Sequence, residues 1–188
     1  MAELEQYIQH YFGIGNEDLH KISALFKPTQ VTKGDYFLKA DQYCDKLSFV
    51  KSGLFRIYAI KGDKEITQWI SSPGYFITEL GGLIFNQPAR FSIQALTDGE
   101  LFTIYKDDYR NIGTLVSKWP ELEKLFLAKC FMILEDRIFS HLSMNAEERY
   151  QLLFQQNKEL FNQVPLQYIA SMLGMTPETF SRIRSKHL

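Results

Sequence analysis

The sequence predicts an α+β protein in three parts. These are an N-terminal antiparallel double-stranded β-helix of the jelly-roll type, a long helix, and a C-terminal helix-turn-helix. Three observations carry this reading. The hydrophobic period is helical at the start, becomes two near Gln30, and returns to helical after Asp107. Gly- and Asp-containing turns punctuate the period-two region at short intervals, which fits an antiparallel sandwich or barrel better than a parallel sheet. The stretch from Val164 to Leu188, V-P-L-Q-Y-I-A-S-M-L-G-M-T-P-E-T-F-S-R-I-R-S-K-H-L, has the punctuation of two short crossed helices.

Leu4–Phe12 and Glu17–Phe26 carry helical spacing and form a cap that Pro28 closes. Strands are expected at Ser48–Val50, Leu54–Ile60, Ile66–Ile70, Phe91–Leu96 and Leu101–Tyr105. Turns separate them at Lys33-Gly34-Asp35, Ser52-Gly53, Lys61-Gly62-Asp63, Pro73-Gly74 and Thr97-Asp98-Gly99. A short helix at Asp108–Val116 precedes a long one from Pro120 to about Leu142.

That long helix is apolar on two sides. Leu127, Phe131, Leu134 and Ile138 step by four, three and four, a coiled-coil seam. Leu122, Phe126, Met132, Ile133 and Phe139 form a second stripe. Two stripes need two partners, so one packs on the β-domain and the other on a second copy of the chain. The alternative is a helix wholly buried within one chain. Ser143-Met144-Asn145 is the expected hinge, with Asn145 capping a helix that starts at Ala146. The resulting divisions are residues 1–118 for the roll with its cap, 119–144 for the dimerisation helix and hinge, and 145–188 for the helix-turn-helix domain.

In the last part, Ile169, Leu173, Met175, Phe180 and Ile183 are placed to share a core. Ala170 is small where two helices approach, and Gly174 supplies the left-handed turn residue. Thr176 caps the second helix and Pro177 takes its first position. Projected at the helical period, Glu178, Arg182 and Ser185 face away from Phe180 and Ile183, flanked by Ser181 and Lys186. A carboxylate, a guanidinium and small hydroxyls suit base edges and phosphates in a major groove. Gln167, Thr176, Pro177, Glu178, Ser181, Arg182, Arg184, Ser185 and Lys186 are therefore the candidate DNA-binding residues. Arg182 and Glu178 are assigned to bases; Gln167, Arg184 and Lys186 are assigned to the backbone.

The 188 residues carry a net charge of −1, so phosphate attraction would come from this local patch and not from the whole chain. Hydrophobic residues at 45% and charged residues at 23% describe a globular chain with a real core. Cys44 and Cys130 form no metal-binding spacing and read as reduced thiols. No apolar stretch approaches the about 20 residues of a membrane span, and the start lacks a signal peptide. A cytoplasmic location is expected.

The order of β-roll, long helix and terminal helix-turn-helix resembles the Crp/Fnr family of bacterial transcription regulators. Lys33-Gly34-Asp35 and Leu47-Ser48-Phe49-Val50-Lys51-Ser52-Gly53 are similar to the opening of its cyclic-nucleotide-binding-type domain. Pro73-Gly74-Tyr75-Phe76-Ile77-Thr78-Glu79-Leu80 resembles the entry to its phosphate-binding cassette. Thr176-Pro177-Glu178-Thr179-Phe180-Ser181-Arg182 resembles its recognition helix, whose glutamate and later arginine read bases. The resemblance implies a homodimer on a pseudo-palindromic double-stranded DNA site, with RNA polymerase as a further candidate partner.

It also implies a ligand pocket, here Thr78, Glu79, Leu80, Ala89 and Arg90, from which the chain departs. Members that bind cyclic nucleotides use Gly-Glu-Leu, the glutamate accepting a ribose hydroxyl, and an arginine that pairs with the cyclic phosphate before Ser or Thr. Thr78 replaces the glycine, Ala89 stands at the arginine position, and Arg90 is one residue out of register. Loss of a bidentate partner argues against cyclic AMP, leaving an unidentified small-molecule effector or none. Glu79 is read evenly as a ligand contact or a structural carboxylate. Two further departures concern DNA. The β-hairpin wing that members carry after the recognition helix is not evident before Leu188, through natural loss or truncation. Pro177 stands where many members have a base-contacting arginine, so the target site should differ.

Other chemistry is excluded by composition. His10, His20, His141 and His187 all lie outside Gln30–Tyr105, which removes the ligand set of a cupin oxygenase. No metal site is expected. His20 and His141 are the only residues to weigh as haem ligands, and each reads as a helix-surface histidine. No nucleophile–base constellation, P-loop or dinucleotide fingerprint occurs, so no enzyme is expected. The competing class is a β-roll sensor that regulates a partner protein without sequence-specific DNA binding.

Overall fold

A computed structural model describes residues 2–12 and 14–187, apart from the side chains of His10, Tyr11, Phe12 and Asn16. Helices α1 (Ala2–Phe12) and α2 (Asn16–Ser23) form the cap. Leu4 and Ile8, one turn apart on α1, and Leu19 and Ile22 on α2 are buried together. Helix α2 stops three residues before Phe26. The Leu25 and Phe26 N–H groups reach the Ile22 and Ser23 carbonyls in tight turns, which drop Phe26 into the core.

The strands are β1 (Lys27–Val31), β2 (Tyr36–Leu38), β3 (Lys46–Ser52), β4 (Phe55–Lys61), β5 (Lys64–Ser71), β6 (Phe76–Ile77), β7 (Ser92–Ala95) and β8 (Gly99–Tyr105). They make two antiparallel four-stranded sheets, ordered β1-β8-β3-β6 and β2-β7-β4-β5. Pro28 follows the cap and sits in β1 opposite Phe102. An edge strand tolerates it because one side of the strand needs no donor. Phe37, Leu38, Val50, Phe55, Ile77, Ile93, Ala95 and Leu101 fill the space between the sheets. Gly53 turns the β3–β4 connection at φ 89°, and a Cβ there would lie 2.9 Å from the Asp98 carbonyl oxygen.

Two short helices brace the roll, α3 (Leu80–Phe85) and α4 (Lys106–Leu115). Helix α5 (Trp119–Ser143) follows. Its first half buries Trp119, Leu122 and Phe126 against α1, α4 and the outer face of the first sheet. At 1.5 Å per residue α5 is ~38 Å long, longer than the cap it lies on. The second stripe is thereby corrected. Leu122 and Phe126 pack on the roll, whereas Met132 and Phe139 are 61% and 69% exposed.

The C-terminal part comprises α6 (Ala146–Gln156), α7 (Leu160–Gln163), α8 (Leu166–Met172) and α9 (Pro177–Ser185). Asn145 caps α6 through its carboxamide oxygen, which accepts from the Glu147 and Glu148 N–H groups, and Glu148 returns the bond to Asn145. Tyr150, Phe161, Ile169, Phe180 and Ile183 form its core, which Leu54, just before β4, and Ile70 of β5 join. Helix α8 therefore docks on β5, and the Thr67 N–H donates to Ser171 Oγ at 2.9 Å. Among the described residues no helix is long and apolar enough to cross a membrane.

Candidate nucleic-acid interface

Local rules set the angle between α8 and α9. Gly174 turns at φ 69°, its N–H donating to the Ser171 carbonyl while the Met175 N–H donates to Ala170. This pair of bonds closes α8 as a Schellman motif. Ala170 is fully buried where the two helices meet. The Thr176 hydroxyl accepts the Thr179 N–H at 3.2 Å, and Pro177 begins α9.

With Phe180 and Ile183 held in the core, the opposite face of α9 is open to solvent. Pro177, Glu178, Ser181, Arg182 and Ser185 line one shallow surface there. The backbone N–H at the start of α9 and the Thr176 hydroxyl hold the Glu178 carboxyl below the usual range, so it is an acceptor at neutral pH. Ser185 Oγ donates to the Arg182 carbonyl at 2.9 Å. Arg182 has no ion-pair partner among the described residues.

The other cations are placed differently. Lys186 caps the end of α9 and reaches Glu147 of α6 at 3.5 Å, while His187 bonds the same carboxylate at 2.9 Å. Arg184 is half-buried, with its charge near the Tyr150 hydroxyl. Gln167 is exposed on α8 and shares a groove with Thr176, Pro177 and β5. The outward face thus concentrates Arg182 and Glu178, and the positive patch read from the sequence is thinner than its formal charge.

The docking of α8 on the roll was not legible in the sequence. Arg56 of β4 is 2% exposed, donating from Nη1 to Glu65 at 2.6 Å and from Nε to Thr67 Oγ1 at 2.9 Å. Its guanidinium lies 4.3 Å from the Tyr58 ring and 3.6 Å from the Tyr168 ring of α8. Strand alternation marks Arg56 only as an outward residue, and nothing local says that α8 covers it.

The five residues of the expected ligand pocket are differently employed. The buried Glu79 carboxylate accepts the Gly82 N–H at 2.7 Å and caps α3. Thr78 Oγ1 donates to the Lys46 carbonyl, and Leu80 is partly exposed. Ala89 is 2% exposed in the core between the sheets. Arg90 is exposed, its guanidinium 5.2 Å from the Phe91 ring. Glu79 has thus taken up the glycine-region donor, and the space between the sheets is filled with side chains.

On α5, Phe131 and Ile138 are 61% and 60% exposed, Leu134 is exposed, and Leu127 is partly buried against the roll. His20 Nδ1 bonds Glu5, and His141 sits between the Arg137 and Met172 carbonyls.

The family model described as cyclic nucleotide-binding domain matches residues 28–113, from β1 into α4. Over most of the chain the fold is shared with solved structures, as the order of β-roll, long helix and terminal helices implied. The catabolite activator protein of Thermus thermophilus matches 96% of this chain and 85% of its own, at 21% identity and TM-score 0.59. FixK2 of Bradyrhizobium japonicum matches 86% of this chain and 83% of its own, at 20% identity and TM-score 0.70. The global regulator CLP of Xanthomonas campestris, described as responsive to c-di-GMP, covers 92% of this chain and 91% of its own, at 16% identity and TM-score 0.66. No curated protein matches the sequence.

Proposed function

We propose that the protein is a homodimeric DNA-binding transcription regulator of the Crp/Fnr type, not an enzyme, and that cyclic AMP does not control it. Residues 1–118 act as the roll domain, 119–144 as dimerisation helix and hinge, and 145–188 as the DNA-binding domain. The observation that carries this reading is the open polar face of α9, fixed from behind by Phe180 and Ile183 and in angle by Gly174. Paired through α5, two such helices enter successive major grooves ~34 Å apart, about one helical turn.

Arg182 makes a bidentate contact to guanine, and Glu178 accepts from a cytosine amino group. Arg182→Ala should weaken binding by about 1–3 kcal/mol and relax preference at one base pair. Genome-wide binding-site mapping followed by mobility shift on the recovered sites tests this. Unchanged sequence preference in the variant would remove Arg182 from base reading. Gln167, Thr176, Pro177, Ser181 and Ser185 border this face, and Lys186 and Arg184 reach phosphates only by leaving Glu147 and the Tyr150 side. Failure of the protein to bind any DNA at low salt, with or without cell extract, would favour regulation of a partner protein.

For cyclic AMP, calorimetry should give no binding at micromolar ligand. The expectation rests on Glu79, whose carboxylate already holds the Gly82 N–H, and on Ala89, which offers no cation. A micromolar dissociation constant would overturn it.

A further inference from the structure

Where β5, α5, α6 and α8 meet, a cavity of about 450 Å³ remains open. That volume is within the range of small-molecule sites. Its apolar walls include Trp69, Ile133, Leu153 and Met172. Two guanidiniums reach it, from Arg137 and Arg149. They are differently employed. Arg149 pins the hinge, donating from Nε to the Leu173 carbonyl at 2.9 Å and from Nη1 to Met144 at 2.6 Å.

Arg137 lies 4.7 Å from the Trp69 ring and has no carboxylate within ion-pair distance among the described residues. Burial pushes its guanidinium down to about 10, so it remains a cation at neutral pH. A desolvated cation without a counter-ion is costly, and an anion in the cavity would offset that cost. Asp136 is the carboxylate on the cavity's rim, exposed to solvent and unpaired among the described residues. His141 contributes no free ring nitrogen, since both face backbone carbonyls.

We propose that this cavity binds a small organic anion with a flat apolar body, its oxyanion head paired with Arg137 and its body against Trp69 and Leu153. The guanidinium fork suits a carboxylate or a phosphate ester equally. The cavity touches both the roll and α8, so on the DNA-binding reading it is an effector site. Occupancy there would set how the reading head sits on β5.

Calorimetry on the full chain tests binding directly, so its failure is distinct from a failure to bind DNA. The probes are naphthalene-2-carboxylate, 2-naphthyl phosphate, the neutral 2-naphthylmethanol and inorganic phosphate. The two aromatic anions should bind in the millimolar range or tighter, and whichever binds tighter identifies the head group. The alcohol should bind at least about tenfold more weakly, as loss of a charge-assisted bond requires. Arg137→Met, which keeps the stem over Trp69, should lower anion affinity by a similar factor, and Arg137→Lys by less. Equal binding of alcohol and carboxylate would overturn the proposal, as would binding of inorganic phosphate alone or no binding of either aromatic anion. The wild-type comparison decides the matter even if a variant fails to fold.

Discussion

Replacing Phe131 and Ile138 together by glutamate should leave the protein monomeric at micromolar concentration. Both side chains are about 60% exposed on α5, with Leu134 between them on the same stripe. Full burial of such side chains stabilises by about 1.5–3 kcal/mol each, and about 60% of each remains to be covered, so four across a two-fold interface contribute on the order of 4–7 kcal/mol. Glutamates at these positions remove that gain and place four carboxylates on one seam. The roll should survive, because α5 holds it through Trp119, Leu122 and Phe126, which are untouched. Sedimentation should report half the mass with helical content retained, and affinity for a two-half-site DNA should drop toward the non-specific level. A variant that stays dimeric would place the interface elsewhere.

The legible parts of this chain are those that local chemistry decides. Gly174, Thr176 and Pro177 each have one structural use, and together they specify the turn of the helix-turn-helix without tertiary information. Asn145 and Glu148 do the same for α6. The alternating strands from Leu47 to Tyr105 are visible because one face of each must be apolar. What escapes is short or depends on partners. Strand β6 has two residues, and β1 reads as a loop because Pro28 is acceptable only at a sheet edge. Helix α3 contains Gly81 and Gly82, which disfavour helix; Glu79 caps it and Lys106 bonds the Gly82 carbonyl at 2.8 Å. A Cβ at Gly82 would also come within 2.7 Å of the Cys44 backbone nitrogen, so close packing demands the residue that weakens the helix.

The candidate site shows the same division. The polarity of the α9 face follows from its period, but the commitment of Lys186 to Glu147 follows from where α6 lies. Sequence register identified Ala89 as a missing cation; it did not show that Ala89 is packed between the sheets. The sequence leaves Glu79 open between two roles; in the structure its carboxylate accepts the Gly82 N–H.

Arg56→Met should loosen α8 from the roll while leaving each part folded. The guanidinium is held between Tyr58 and Tyr168 and bonds Glu65 and Thr67, so it joins β4, β5 and α8 at one point. A desolvated cation–π contact contributes about 2 kcal/mol and a charged hydrogen bond about 1.5–3. Glu65 is 48% exposed, and water reclaims much of that ion pair when the arginine is lost. Methionine also keeps most of the packing volume. The net loss expected is therefore about 2–4 kcal/mol, concentrated on the contact with Tyr168. The Thr67 N–H reports it, because its acceptor is Ser171 Oγ on α8 and not a neighbouring strand. Amide exchange at Thr67 should accelerate, and proteolysis at the 143–145 hinge should rise, without a matching change in the rest of β5. Tyr168→Leu, which removes only the α8 ring, should reproduce a smaller part of both effects. If Thr67 stays protected in both variants, the docked head is held by the apolar contacts of Leu54 and Ile70 instead.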